Sequence, residues 1–182
     1  FIPFRRVRFR AGLIPMVVAF TVMNLLFITA MTRTTAAASI FLQYTATVWS
    51  AIIGYFVLKE RVTRSTLVAM VGAISGISWI VVSESGSENA TGNLIAICSG
   101  FSFACVMVSI GYLKEESAPW LIALNHLAAG IVLLPWVLTF DVSLSWTQLA
   151  VVLLLGVIQM GVPYVLYVRC VRDVPVTEAV FI

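Results

Sequence analysis

Marking every charged residue divides the chain into six long runs that carry none: Ala11 to Thr32, Thr34 to Leu58, Ser65 to Ser83, Asn89 to Leu113, Ser117 to Phe140 and Val142 to Val168. A hydrocarbon core about 30 Å thick is crossed by roughly 20 helical residues, and every run is close to that length or longer. The pattern predicts six complete transmembrane helices and the start of a seventh near Val174. Composition agrees, with 61% hydrophobic and 10% charged residues. A mean hydropathy of +1.05 leaves too little polar surface for a soluble domain.

The charges between the runs are not spread evenly. Across alternate connections, ten of the 11 Lys and Arg fall on one side (Arg5, Arg6, Arg8, Arg10, Lys59, Arg61, Arg64, Lys114, Arg169 and Arg172) and only Arg33 on the other. Basic residues flanking a span stay cytoplasmic, so the ten mark the inner side and the protein is placed in the cytoplasmic membrane. This bias accounts for the net charge of +3 without a nucleic-acid partner. The polar stretch Ser83 to Asn93 is then an outer linker between two halves.

Displacing the sequence by 140 places lays Ala30 to Leu42 over Cys170 to Ile182, with small and apolar positions mostly matching. Five helices separate the two segments, an odd number, so they cross the membrane in opposite directions. Inverted repeats are a recurring device of secondary transporters, whose substrate sites lie near the midplane between the halves.

Leu42 to Val82, with Glu60-Arg61 at a cytoplasmic turn and a following helix bearing Gly72 and Gly76, resembles the end of the first EamA repeat of the drug/metabolite transporter superfamily. Cys170 to Ile182 is similar to the matching part of the second repeat. The resemblance implies an all-α integral membrane bundle of two inverted five-helix repeats. Helices three to eight and the start of nine are then present, as part of a longer protein. Residues 1–83 would close the first repeat, 84–92 form the outer linker, and 93–182 open the second repeat. It further implies a secondary transporter that exports small organic metabolites or drug-like solutes by alternating access. One departure is Thr47, 13 places before Glu60, where the family often has a hinge-forming proline.

The six runs contain no Asp, Glu, Lys or Arg, so recognition inside them is expected to be neutral. Ser39, Gln43, Thr47 and Ser50 share one helical sector, with Tyr44 on an adjacent line; Gly156, Gln159, Pro163 and Tyr167 share another, beside Tyr164. Amides donate and accept hydrogen bonds, and tyrosines add an apolar wall with a polar tip. Gln43, Tyr44, Thr47, Gln159, Tyr164 and Asn24 are therefore the candidate substrate-binding residues. The competing reading is that these groups bond between helices and hold the bundle together. His126 is the candidate for proton coupling, and Glu178, at the start of the last helix, for cation binding at the cytoplasmic mouth. Either has a structural alternative: a helix-to-helix hydrogen bond for His126, and a helix-dipole partner for Glu178.

Gly72 and Gly76 have the four-residue spacing that lets helices approach closely, and Cys98, Ser102, Cys105, Ser109 and Tyr112 share a face that reads as a packing seam. No cofactor or metal is expected, since CxxC and His-Cys spacings are absent, as is a GxxxxGK loop for ATP. The rival function is a membrane-embedded enzyme acting on lipid-linked substrates. It would need an acid, a base and a nucleophile clustered near the surface, and one His without a neighbouring acid argues against it. The expected partners are a small-molecule substrate and the lipid bilayer.

Overall fold

The computed structural model describes residues 10–60, 63–83, 89–139, 145–163 and 166. These form seven α-helices: α1 (Leu13–Met31), α2 (Ala36–Gln43), α3 (Ala46–Val57), α4 (Arg64–Ser83), α5 (Ala90–Tyr112), α6 (Ala118–Val137) and α7 (Trp146–Leu155). A π-helical segment, Gly156–Gly161, continues α7. Among the described residues, four stretches are long and apolar enough to cross a membrane: α1, α2 with α3, α5, and Trp120–Val137 of α6. Apart from Arg64 at the start of α4, the described helices fall within the six uncharged runs, and no strand occurs among the described residues.

Polar side chains at the run boundaries start the helices. The Thr35 hydroxyl accepts the Ala38 N–H at 3.1 Å and caps α2. At α7, Ser145 Oγ accepts the Gln148 N–H while Gln148 Oε1 accepts the Ser145 N–H, a reciprocal capping box.

α5 is the central helix, packed against α1 along its length and against α2 and α3; α6 packs on α1, and α4 on α3. Small buried residues, Gly92, Ala96, Ser99, Gly100 and Ala104, let neighbours approach α5 closely. The larger core joins Met16, Phe20 and Met23 of α1 to Val106 and Ile110 of α5 and Leu121 and Ile122 of α6. A smaller one joins Ala30, Ala38, Leu42 and Ala96. At one end of the bundle Arg10 reaches Glu115 at 2.7 Å and Glu116 at 3.2 Å, tying the entrance of α1 to the α5–α6 connection. At the opposite end the Thr34 hydroxyl donates to Asn93 Oδ1 at 2.8 Å.

The second span differs from the single helix expected. It is broken at Tyr44 and Thr45, where the chain tightens into bonds from Tyr44 N–H to the Phe41 carbonyl and from Thr45 N–H to the Leu42 carbonyl, each 3.1 Å. Proline is not the cause, since the residue at the family's proline position is Thr47. The cause lies on α5. A Cβ on Gly100 would overlap Thr45 Oγ1 and come within 2.9 Å of the Gln43 carbonyl oxygen, so the break and the glycine occupy one another's space.

Gly72 and Gly76 behave differently: neither has anything within 4 Å of where a Cβ would stand, so this pair makes no close helix contact among the described residues. At the end of α3, Lys59 has φ of 56°, the left-handed region where glycine is the usual occupant of a helix C-terminus. For a residue with a Cβ this conformation costs roughly 1–2 kcal/mol.

These contrasts predict opposite outcomes for two equal substitutions. Gly100→Ala should lower stability by roughly 1–3 kcal/mol, because the methyl meets backbone that cannot yield. Gly72→Ala should be neutral or raise stability by up to about 1 kcal/mol. Thermal unfolding of both variants in detergent checks this; equal effects would contradict the packing described.

Candidate functional site

The break in the second span gathers most of the polar groups that the sequence placed on it. Gln43, the last residue of α2, is half-buried, and its Nε2 donates to Ser99 Oγ on α5 at 3.1 Å. Ser99 is wholly buried and donates in turn to the Met23 carbonyl of α1, also at 3.1 Å. One amide thus links three helices through a two-bond relay. Thr47 is buried, and its hydroxyl donates to the Tyr44 carbonyl at 2.8 Å; Ser50 donates to the Thr47 carbonyl at 3.0 Å. The Tyr44 carbonyl also accepts the Thr47 N–H at 3.0 Å, so the hydroxyls pair their own protons locally, with no water needed. Tyr44 stands at the break with its side chain exposed.

A second group forms around Phe20. The ring of His126 lies 5.0 Å from that of Phe20, tilted by 56°, and Nδ1 pairs with the Ile122 carbonyl at 2.9 Å. With the carbonyl as acceptor, Nδ1 carries the proton and Nε2 is the acceptor of the neutral ring. Asn24 donates to the Phe20 carbonyl one turn earlier on its own helix, at 2.8 Å. Met23, beside Asn24, carries the carbonyl that receives Ser99, so residues 20–24 of α1 form the wall between the two groups.

Gln159 lies within the π-helical segment, a form of backbone frequent at functional positions. Its side chain, Tyr164 and Glu178 lie outside what the structure describes. Gln43, Tyr44 and Thr47 are therefore brought together at the break, with Asn24 and His126 joined to it through α1.

Two polar side chains that matter here, Asn125 and Thr45, were not picked out from the sequence, whereas Ser39 was placed in the polar sector of the second span. Asn125 on α6 is completely buried, and among the described residues neither Oδ1 nor Nδ2 has a hydrogen-bond partner; the same holds for the buried Ser39 Oγ and Thr45 Oγ1. Asn125 falls one turn from Leu121 and one from Ala129, both members of the larger core. The available signal was its position beside His126.

Comparison with known proteins places the chain. The model of the EamA-like transporter family matches residues 2–82 and again 90–182. A curated relative from Archaeoglobus fulgidus, described as an uncharacterized transporter, is 32% identical over 155 residues. The alignment covers 84% of this chain and 55% of the relative, so the chain spans about half that protein's length. No solved structure matches.

The relay and the bare amide have opposite energetic signs. Ser99→Ala, which removes the partner of a half-buried amide, should destabilise the protein by roughly 1–3 kcal/mol. Asn125→Leu replaces unpaired buried polar atoms with an apolar group of similar shape and should stabilise it, again by roughly 1–3 kcal/mol. Unfolding midpoints of the two variants measure both; a destabilised Asn125→Leu would mean that the amide has a partner in the folded protein.

Proposed function

The chain belongs to the EamA-like transporter family, and from that premise we propose that it forms the central part of a secondary transporter for small organic solutes in the cytoplasmic membrane. Transport is outward and proceeds by alternating access between two inverted repeats. The two stretches matched by the family model, 2–82 and 90–182, support a two-repeat organisation.

One observation carries the reading: a membrane-spanning helix whose regular bonding breaks into a tighter turn at Tyr44–Thr45, beside the polar side chains of Gln43, Thr47 and Ser50. An interrupted span offers backbone and side-chain hydrogen bonds at membrane depth, where an intact helix offers none. Substrate sits against Gln43, Tyr44 and Thr47 with Asn24 nearby, and Gln159 and Tyr164 contribute from the second repeat. The Gln43 amide exchanges its bond to Ser99 for one to substrate, so binding at the break loosens the tie between α2 and α5. This couples occupancy to helix movement without a buried charge, and the ligand is accordingly neutral or zwitterionic in its polar part.

His126 is the proton-coupling group, and Glu178 attracts cations at the cytoplasmic mouth. Protonation at Nε2 would turn His126 from acceptor to donor while Nδ1 kept its bond to the Ile122 carbonyl.

Reconstitution of the full-length protein in liposomes tests the proposal by counterflow of labelled amino acids and related metabolites. Saturable exchange is expected, with Gln43→Ala and Gln159→Ala each reducing it by about tenfold, the equivalent of one good hydrogen bond to substrate. A folded protein that exchanges nothing across the panel would contradict transport of this solute class. Exchange indifferent to both substitutions would remove the site from the break.

A further inference from the structure

The turn between α3 and α4 holds two features that the transport site does not use. The first is a cavity of about 290 Å³ lined by Ala51, Ile52, Tyr55, Phe56, Leu67 and Met70. Its size is near the lower end of ligand pockets, roughly 300–1,000 Å³. Every wall is apolar or aromatic, and the rings of Tyr55 and Phe56 meet edge to face at 5.3 Å. The lining comes from the last turns of α3 and the first two of α4, so the cavity lies just beneath the cytoplasmic surface.

The second feature is the pair of basic residues that flank it in the chain: Lys59 follows α3 and Arg64 opens α4. Lys59 and Arg64 are both exposed. Lys59 also holds a backbone conformation that glycine would adopt without strain, closing α3 through a 3.4 Å bond from the Glu60 N–H to the Gly54 carbonyl. A strained residue at a position suited to another type points to a use for its side chain. Arg64 opens α4, whose N-terminal N–H groups favour an anion; Thr63 Oγ1 caps one of them, the Thr66 N–H, at 3.2 Å.

We propose that Lys59, Arg64 and the cavity together bind an anionic phospholipid, its phosphate held by the two side chains and one acyl chain seated between α3 and α4. Charge decides the occupant. A zwitterionic lipid brings the same chains but no net charge for the cationic rim, while a soluble phosphate ester brings the charge and leaves the apolar cavity unfilled. The site lies on the same span as the break, at its cytoplasmic end.

Native mass spectrometry of the full-length protein in detergent tests this with dioleoyl phosphatidylglycerol and dioleoyl phosphatidylcholine, which share their chains. Phosphatidylglycerol should be retained at least about tenfold more strongly, as two basic contacts at a membrane surface allow. The double variant K59Q/R64Q should lose that preference, and Leu67→Trp, which fills the cavity, should reduce retention of both lipids. Lys59→Gly should raise the unfolding temperature while weakening phosphatidylglycerol binding, a pairing that a merely structural lysine would not show. Equal retention of the two lipids by the unaltered protein would overturn the proposal. So would binding indifferent to K59Q/R64Q or to Leu67→Trp, or displacement of the lipid by an equal concentration of glycerol phosphate. Lipid retention is read without any transport assay, so it stands or falls separately from the substrate site.

Discussion

A backbone group that loses its helical partner inside hydrocarbon has no water to turn to, and that constraint shapes the rest of this structure. It is why the chain crosses the membrane as helices, and why the one interruption among its described spans is surrounded by short hydroxyl side chains. Thr47 and Ser50 donate to carbonyls three residues earlier, and the Tyr44 and Thr45 N–H groups bond to carbonyls three residues back. The interruption therefore persists at modest energy. Its polar groups remain close to carbonyls and amides that a ligand could engage.

Packing places the interruption. Gly100 brings the backbone of α5 against the Gln43 carbonyl and the Thr45 side chain, and Ser99, its neighbour, receives the Gln43 amide. Closeness and polarity come from two adjacent residues on one helix. On the other side Ser99 bonds to α1, so α1, α2 and α5 meet at one buried hydroxyl.

The four described spans were legible because abrupt charge boundaries survive any detail of packing. The polar sector of Gln43, Thr47 and Ser50 was legible too, since helical spacing alone puts those residues together. The break at Tyr44–Thr45 was not: neither glycine nor proline stands there, and its cause sits on a helix remote in sequence. Asn125 was missed for a related reason. α6 is apolar on nearly all sides, so the pattern gives no face that must point inward, and only the packing of Leu121 and Ala129 shows where the amide lies. The spacing of Gly72 and Gly76 describes an opportunity for close approach, and among the described residues these glycines meet no neighbour within 4 Å.

The Arg10–Glu115 ion pair joins residues 105 apart in sequence, which has a consequence for biosynthesis. At roughly 5–20 residues per second of synthesis, α1 waits on the order of 5–20 s before its cytoplasmic partner exists. During that interval it must be at ease in the bilayer without α5. Its polar side chains suit this, since Thr21, Asn24 and Thr29 each bond to the carbonyl four residues earlier on α1 itself. The first described span is thus self-sufficient at the translocon, and α5 arrives afterwards to draw the bundle together.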